Sequence, residues 1–496
     1  MSSHHHHQRK RSTSPLPAAA ATTSSKRAAP SFPSYLDFPE LPPKIRHLCQ
    51  LLHSTPPNSL EAALSSSSQA LTLTLTPADV ESVLKLSYSL PSPAVKFFRW
   101  AGARLGPSLL TPYSWNLAVD LLGRNRLFDA MWDCVRSMRS LSLLSLATFA
   151  SLFSSLAAAG RFDDALKAFD DMPSLYALPN DTPALNSLLS ALCREANPAV
   201  ALDVLESRRR AVSPDADTYA ILLEGWEAQD DPDPRAARRT FDDMTHRLGW
   251  DPANVPAYDS FLNALLKAHD LDGVVKYVRI MTEKRCYPGM KFFRNAMAAF
   301  AAEKDAKGAA PVWDALVGRN GCFPDRKMYN EMIALQCGAR QAEAAQKYLD
   351  EMVTYGVFPD AEAYDVLLEL LLGGRSPREA EAASVFKEML RNELVPSRRN
   401  CESAVKVFAD SDYWDVAMMA WRCMVENGYP AEDSSNALVE KLIRFNMLPE
   451  ACRLAEDMID KRVKLSSASL SKLRTSLTKL GKGSLYDHIF RKWKIH

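Results

Sequence analysis

The sequence predicts an all-α protein built as a stack of short helix pairs. Between Arg326 and Asp360, apolar residues recur at helical spacing in two stripes separated by Gly338. The first stripe runs through Tyr329, Met332, Ile333 and Gln336, and the second through Ala344, Ala345, Tyr348, Leu349 and Met352. Each stripe is typical of a short amphipathic helix, so this segment predicts two helices joined by a tight turn.

Most of the remaining chain repeats this pattern. Tyrosine, alanine, methionine and proline landmarks place ten successive units, numbered here as repeats 1 to 10: 112–145, 146–180, 182–215, 216–253, 255–289, 290–325, 326–360, 361–397, 398–431 and 432–466. One helix pair of this size cannot bury its apolar faces alone, whereas stacked pairs share a continuous core. The repetition therefore predicts one array whose length is set by the number of repeats.

The ends of the units carry signals that stop one helix and start the next. In repeat 7, Gly356 is placed to take the left-handed backbone that ends a helix. Pro359 prevents the helix from resuming, and Asp360 can cap the helix that follows. Other units end in AVSPD, RCYPG, GCFPD and ELVPS, and their second helices contain DDALKAFDDM, ARRTFDDM, AASVFKEM and PEACRLAEDM.

A tyrosine-led first helix, a small residue entering the second helix, a closing methionine and a terminal Pro-Asp at a period of 35 together resemble the pentatricopeptide repeat family, in particular its plant P class. The resemblance covers ten units from Pro112 to Ser466. The segment VLKLSYSLPSPAVKFFRWAG before them resembles the degenerate unit that usually precedes such arrays. The resemblance implies a right-handed superhelical solenoid of about ten to eleven helix-turn-helix repeats.

Residues 1–34 have the composition of an organellar transit peptide. Their only charged residues are Arg9, Lys10, Arg11, Lys26 and Arg27, while serine and alanine dominate. A merely disordered basic tail is the alternative. The arginines and the family resemblance favour a mitochondrial location, with the plastid as the alternative. We expect a linker and N-terminal helical segment over 35–76, a degenerate repeat over 77–111, tandem repeats over 112–466 and a C-terminal helical cap or basic tail over 467–496.

The charge balance excludes a generic polyanion binder. Without the five basic residues of the first segment, the 59 acidic residues slightly outnumber the remaining basic ones. Nucleic-acid affinity would then depend on local charge and specific contacts. The segment from Lys461 to His496 is the exception, with ten Lys or Arg and only Asp487 as an acid. It could contact phosphates or serve as a solvated cap. No membrane span is expected, and the nine scattered cysteines indicate reduced core residues.

The resemblance implies that each first helix lines a groove and that the fifth and last residues of each repeat read one RNA base. These pairs are Asn116 with Ser145, Ala150 with Asn180, Asn186 with Asp215, Ala220 with Ala253, Asp259 with Gly289, Arg294 with Asp325, Asn330 with Asp360, Asp365 with Ser397, Glu402 with Ala431 and Asn436 with Ser466. By the family's code, Asn with Asp favours uracil and Asn with Ser favours cytosine. The implied ligand is 5'-C-n-U-n-n-n-U-n-n-C-3'.

Six of the ten pairs depart from that code, and helix capping offers a second explanation of the last position. Asn, Asp and Ser are preferred N-cap residues, so their recurrence there is expected in any array of capped helices. Capping does not explain Asn at the fifth position, inside the first helix, where asparagine has poor propensity. We therefore expect RNA contact at Asn116, Asn186, Asn330 and Asn436. Four tyrosines lie one residue before the fifth position of their repeats and are expected to pack between helices: Tyr219, Tyr258, Tyr329 and Tyr364.

No enzyme, cofactor or metal site is expected. A zinc deaminase domain would need an H-x-E and paired C-x-x-C ligands, and the chain has neither. No Walker A loop or dinucleotide fingerprint is present. The resemblance implies a single-stranded RNA-binding protein that acts on organellar mRNA, in 5'-end maturation, stabilisation and translation initiation. A ribosome or a nuclease recruited in trans would be its protein partners. The alternatives are a protein-binding scaffold of tetratricopeptide type and an unrecognised nuclease; the oligomeric state stays open.

Overall fold

The computed structural model describes residues 34–70, 74–195, 197–374 and 376–495. Every regular element within these ranges is a helix, which confirms the all-α prediction. The expected transit peptide lies outside the described residues except for Ser34. No helix among the described residues is long and apolar enough to span a bilayer.

The chain divides between Gly249 and Trp250 into two compact bodies, an N-terminal body and a C-terminal body. The helices of the N-terminal body are α1 (Pro43–Ser54), α2 (Leu60–Ala70), α3 (Pro77–Leu86), α4 (Pro91–Leu105), α5 (Pro112–Arg124), α6 (Phe128–Ser140), α7 (Leu146–Ala158), α8 (Phe162–Asp170), α9 (Met172–Tyr176), α10 (Thr182–Arg194), α11 (Pro198–Arg208), α12 (Ala216–Glu227) and α13 (Pro234–Leu248). Short 3-10 turns cover Tyr35–Asp37 and Pro107–Leu109.

The C-terminal body continues the same alternation of first and second helices. Its helices are α14 (Val255–Lys267), α15 (Leu271–Glu283), α16 (Met290–Glu303), α17 (Ala306–Leu316), α18 (Arg326–Gly338), α19 (Ala342–Thr354), α20 (Ala361–Leu372), α21 (Glu379–Arg391), α22 (Arg398–Asp410), α23 (Trp414–Glu426), α24 (Glu432–Arg444), α25 (Leu448–Asp460), α26 (Ser467–Lys479) and α27 (Gly483–Ile495). The segment after repeat 10 thus forms one more helix pair.

Repeat 7 shows how the sequence sets these boundaries. Helix α18 ends at Gly338, and Arg340 takes the left-handed φ of 59° that turns the chain into α19. Gly356 has a φ of 75° after α19, as its position predicted. The Asp360 side chain then accepts a hydrogen bond from the backbone N–H of Ala363 at 3.1 Å, which caps α20.

The tyrosines before the fifth positions lie in the core, which confirms that they pack between helices. Tyr219, Tyr258, Tyr329 and Tyr364 are all buried. Their hydroxyls reach second helices or loops; that of Tyr364, for example, donates to Glu388 at 2.9 Å. Burial, with the bond to the Glu388 carboxylate, raises the pKa of Tyr364 to about 12. These rings are therefore packing groups rather than stacking platforms for bases.

Consecutive first helices lie side by side within each body. In the N-terminal body this row is α1, α3, α5, α7, α10 and α12, and in the C-terminal body it is α14, α16, α18, α20, α22, α24 and α26. A side chain one turn into a first helix can therefore reach the start of the next first helix, about 30 residues later in the chain. This geometry positions the candidate site.

Candidate nucleic-acid interface

The fifth residue of a repeat and the N-cap of the next first helix meet in several repeats. The last residue of the repeat is this N-cap at Ser145, Asp215, Gly289, Asp325, Asp360, Ser397, Ala431 and Ser466. In repeats 2 and 4 the N-caps are instead Asp181 and Asn254, one residue beyond the expected Asn180 and Ala253. One extra residue separates these repeats from the next ones, so the N-cap falls one position after the last residue of the repeat.

Repeat 3 brings its candidate pair into direct contact. Asn186 Nδ2 donates to Asp215 Oδ1 at 3.1 Å, and the Thr218 hydroxyl donates to Asn186 Oδ1 at 2.7 Å. Asn186 is half-buried in the row of first helices, whereas Asp215 is exposed. The pair therefore presents an oriented amide beside a carboxylate at the protein surface.

The Asp215 carboxyl is held ionised. Partial burial raises its pKa, but hydrogen bonds from the Thr218 N–H, from Asn186 Nδ2 and from the Thr218 hydroxyl outweigh burial and leave the pKa below its usual value. At neutral pH the last position of repeat 3 can therefore only accept hydrogen bonds. A carboxylate in this position complements a donor on the ligand and opposes a phosphate.

Repeat 7 has the same two residue types but a different hydrogen-bond pattern. Asn330 Nδ2 donates to Asp360 Oδ1 at 3.1 Å and to Glu362 Oε2 at 3.2 Å. Asn330 Oδ1 is buried and has no hydrogen-bond partner among the described residues. Both amide N–H groups of Asn330 thus face carboxylates, which leaves this side chain less to offer a base.

Repeat 1 links its pair through a threonine. The Thr148 hydroxyl donates to Asn116 Oδ1 at 2.7 Å, and the Ser145 backbone N–H donates to Thr148 Oγ1 at 3.3 Å. Asn116 Nδ2 meets no acceptor in the part of the chain that the structure describes. The structure therefore connects Asn116 to Ser145 indirectly and leaves the amide donors of Asn116 available.

In three repeats the fifth side chain binds the backbone N–H of the residue that caps the next first helix. Asp259 Oδ1 accepts from the Gly289 N–H at 2.6 Å, Asp365 Oδ1 from the Ser397 N–H at 2.9 Å, and Asn436 Oδ1 from the Ser466 N–H at 2.8 Å. We refer to these three contacts as the helix clips. The side chains of Asp259, Asp365 and Asn436 thus hold neighbouring first helices together.

In two of the helix clips, Asn436 and Asp365 make further hydrogen bonds. Asn436 Nδ2 donates to the carbonyls of Glu432 at 2.8 Å and Lys464 at 2.9 Å. Asp365 Oδ1 also accepts from Asn400 Nδ2 at 2.6 Å. Asn436 therefore has both amide N–H groups bound to backbone, unlike the other three fifth-position asparagines.

The remaining expected pairs contribute little direct chemistry. Arg294 and Asp325 are exposed and form a loose ion pair of 3.9 Å. Glu402 pairs with Arg398 at 2.7 Å rather than with Ala431. Ala150 and Ala220 carry no hydrogen-bonding side chain. Surface pairs of this kind contribute little to stability.

The sequence reasoning missed several residues of this interface. They are the third-position Thr148 and Thr218, the second-position Glu362, and Glu81, which accepts a hydrogen bond from Thr111 at the N-cap of α5. Counting the same register backward from Pro112 would have placed Glu81 at a fifth position. Across the described ranges, no group of three or more His, Cys, Asp or Glu side chains is arranged to hold a metal ion.

Helix pairs with adjacent first helices, joined by polar contacts about 30 residues apart, define a helical-repeat protein. A model of the PPR repeat family matches residues 147–175 and 327–357. These two segments, which lie within repeats 2 and 7, are therefore similar to the PPR repeat.

Curated relatives from Arabidopsis thaliana match over part of their length. The pentatricopeptide repeat-containing protein At1g77360, named as mitochondrial, is 32% identical over 36% of this chain and 34% of its own. The pentatricopeptide repeat-containing protein At3g61360 is 24% identical over 68% of this chain and 67% of its own. Among solved structures, the pentatricopeptide repeat protein PPR10, crystallised in complex with an 18-nt psaJ RNA element, has 19% sequence identity and a TM-score of 0.38. The match covers 91% of this chain and 68% of the PPR10 chain.

Proposed function

We propose that this protein binds single-stranded RNA with a preference for particular bases and has no catalytic step of its own. The observation that carries the proposal is the contact between Asn186 and Asp215 in repeat 3. An amide has two donors and two acceptor lone pairs, and the contacts of Asn186 use one of each. The remaining N–H and the remaining oxygen lone pair of Asn186 can pair with the acceptor and the donor on the edge of a pyrimidine.

The names of the relatives support the finer parts of the proposal. At1g77360 is named as mitochondrial, and PPR10 was crystallised with an RNA element. We place the protein in the mitochondrion, where it binds organellar mRNA and acts in 5'-end maturation, stabilisation and translation initiation. The mechanism is steric: a long-lived complex blocks exonucleases or keeps a start region unpaired. A nuclease or a ribosome would be recruited in trans.

Selection of ligands from a random single-stranded RNA pool tests the proposal. The full chain is used at near-physiological salt, because phosphate contacts make affinity salt-dependent. We expect a pyrimidine-bearing motif with uracil at the third position of 5'-C-n-U-n-n-n-U-n-n-C-3'. The Asn186→Ala variant should bind it more weakly by roughly 1 to 3 kcal/mol, the range of one base-reading contact, with unchanged helix content by circular dichroism.

A matched variant separates base reading from general weakening. Glu402→Ala also replaces a fifth-position side chain, but among the described residues Glu402 pairs with Arg398 on its own helix alone. We expect its affinity for the selected RNA to stay close to that of the unaltered protein. Equal affinities for Asn186→Ala and the unaltered chain would refute base reading. Recovery of no RNA at all would favour the peptide-binding scaffold.

A further inference from the structure

Two threonines outside the expected reading positions touch the reading asparagines. Thr148 and Thr218 are the third residues of α7 and α12, and both are buried. Each hydroxyl lies 2.7 Å from the Oδ1 of the fifth-position asparagine of the preceding repeat, Asn116 and Asn186 respectively. An amide oxygen carries no proton, so the threonine must be the donor in both contacts.

The threonine hydroxyl holds the oxygen end of the asparagine amide, whereas the N-cap residue holds the nitrogen end. In repeat 3, Asp215 accepts from Asn186 Nδ2 while Thr218 donates to Asn186 Oδ1. The Thr218 hydroxyl also lies 2.8 Å from Asp215 Oδ1, so its single proton is shared between the amide oxygen and the carboxylate. With both ends bound, the amide plane is set before a ligand arrives. Preorganisation of this kind reduces the ordering cost of binding.

Repeat 7 lacks this support. The third residue of the following repeat is here the buried Ala363, which has no hydroxyl. Asn330 Oδ1 is accordingly buried with no hydrogen-bond partner among the described residues, while Glu362 accepts from Asn330 Nδ2. Repeats 3 and 7 therefore have the same Asn and Asp pair in two different settings.

We propose that Thr148 and Thr218 are positioning residues that hold the reading asparagine of the preceding repeat, so that repeat 3 distinguishes bases more sharply than repeat 7. The proposal rests on the proposed RNA-binding function. It deepens that function by adding the third residue of the following repeat to the residues that set specificity. By the same argument, repeat 7 discriminates weakly between bases because Ala363 has no hydroxyl to hold Asn330.

The test compares affinities of the full chain for RNA oligonucleotides with the sequence 5'-C-A-U-A-A-A-U-A-A-C-3' and for the same sequence with cytosine replacing one uracil. The discrimination ratio at a nucleotide is the affinity for the RNA with uracil there divided by the affinity for the RNA with cytosine there. This ratio should be larger at the third nucleotide than at the seventh. Thr218→Val keeps the side-chain shape but removes the hydroxyl, and should lower the ratio at the third nucleotide about two- to tenfold, the range of one hydrogen bond. Thr218→Ser should retain it.

A gain of discrimination at repeat 7 provides the converse measurement. Ala363→Ser adds only a hydroxyl, and Ala363→Thr adds the side chain by which Thr218 holds the asparagine of repeat 3. Either variant should raise the ratio at the seventh nucleotide and leave the third unchanged. The smaller Ala363→Ser keeps the test valid if the buried site rejects threonine.

The loss of a helix cap cannot imitate this result. Thr218 also accepts from the Asp215 backbone N–H, so its replacement weakens the start of α12. A weakened helix lowers affinity for both RNA sequences alike, whereas a lost positioning contact changes their ratio. If Thr218→Val keeps full discrimination at the third nucleotide while Asn186→Ala loses it, base reading stands and the positioning role is overturned. If the unaltered protein distinguishes neither nucleotide, the proposed function itself fails.

Discussion

At the residue scale, one residue type in one register position takes four hydrogen-bonding states. Asn116 receives a threonine hydroxyl, Asn186 receives a hydroxyl and donates to a carboxylate, Asn330 donates to two carboxylates, and Asn436 binds backbone groups. Between Asn186 and Asn330, the difference comes from side chains of the following repeat, Thr218 and Glu362 respectively. A two-residue code treats repeats 3 and 7 as equivalent, whereas their surroundings make them different.

Asp215 gives a pH-dependent prediction at this scale. Its folded-state pKa is depressed, so its hydrogen bonds contribute stability above the unfolded-state pKa of about 3.9, and this contribution is lost as pH falls through the folded-state pKa. We expect Asp215→Asn to be less stable than the unaltered protein at pH 6. The difference should shrink below pH 4, as measured by urea unfolding at each pH. A difference that stays constant down to pH 3 would contradict the assigned hydrogen bonds.

The sequence could predict which residues meet but not how they bond. The capping signals predicted Asp215 as an N-cap, which the structure confirms, and Asn186 reaches it because first helices in a stack lie side by side. The roles of Thr218 and Glu362 depend on contacts that span about 30 residues and on side-chain orientation, neither of which the repeat pattern encodes. The shift to Asp181 in repeat 2 arises because an extra residue separates two units, and only the cap geometry shows which residue starts α10.

At the element scale, the helix clips explain acidic fifth residues that would otherwise oppose a phosphate backbone. Asp259 is buried, and its carboxylate accepts from the N–H of Gly289 at the start of the next first helix. A Cβ on Gly289 would lie 3.0 Å from Asp259 Oδ2, so the glycine also allows the close approach. A carboxylate at a helix N-terminus is favoured by the helix dipole. Such a residue fastens helices together and has little left for a base.

Removal of the Asp365 clip tests this role. Asp365→Ala leaves the Ser397 N–H without its side-chain acceptor and removes one of the two acceptors of the buried Asn400 amide, whose other acceptor is the backbone carbonyl of residue 365. The loss should destabilise the C-terminal body by about 1 to 3 kcal/mol. The midpoint of thermal unfolding should fall, while the base preference of the selected RNA stays the same at the eighth nucleotide. Glu402→Ala, at the fifth position of the next repeat, should change the midpoint little. A changed base preference with an unchanged midpoint would show that Asp365 reads a base.

At the scale of the whole molecule, positive charge is concentrated in the last helix pair and the segment that leads into it. The body of the chain is slightly acidic, whereas residues from Lys461 onward carry ten basic residues and one acid. Helices α26 and α27 also bury Leu470, Leu473, Leu477 and Ile489 as they pack against α24 and α25, so a capping role for this pair stays a prediction. Capping and phosphate attraction are therefore compatible in one segment, and truncation of the segment would remove both together.

Charge substitution separates these two roles where truncation cannot. Lys479, Lys482 and Lys494 are exposed, and their joint replacement by glutamine leaves the buried leucines in place. If they contact phosphates, affinity for all single strands should fall alike, and the slope of log affinity against log salt should decrease in magnitude by about 2, at roughly 0.7 for each single-strand phosphate. The matched control replaces Lys167, Lys276 and Lys307, exposed lysines of the second helices α8, α15 and α17, and should leave the slope unchanged. Equal slopes for both triple variants and the unaltered protein would assign α26 and α27 to capping alone, because a cap requires the buried leucines and not the surface charge.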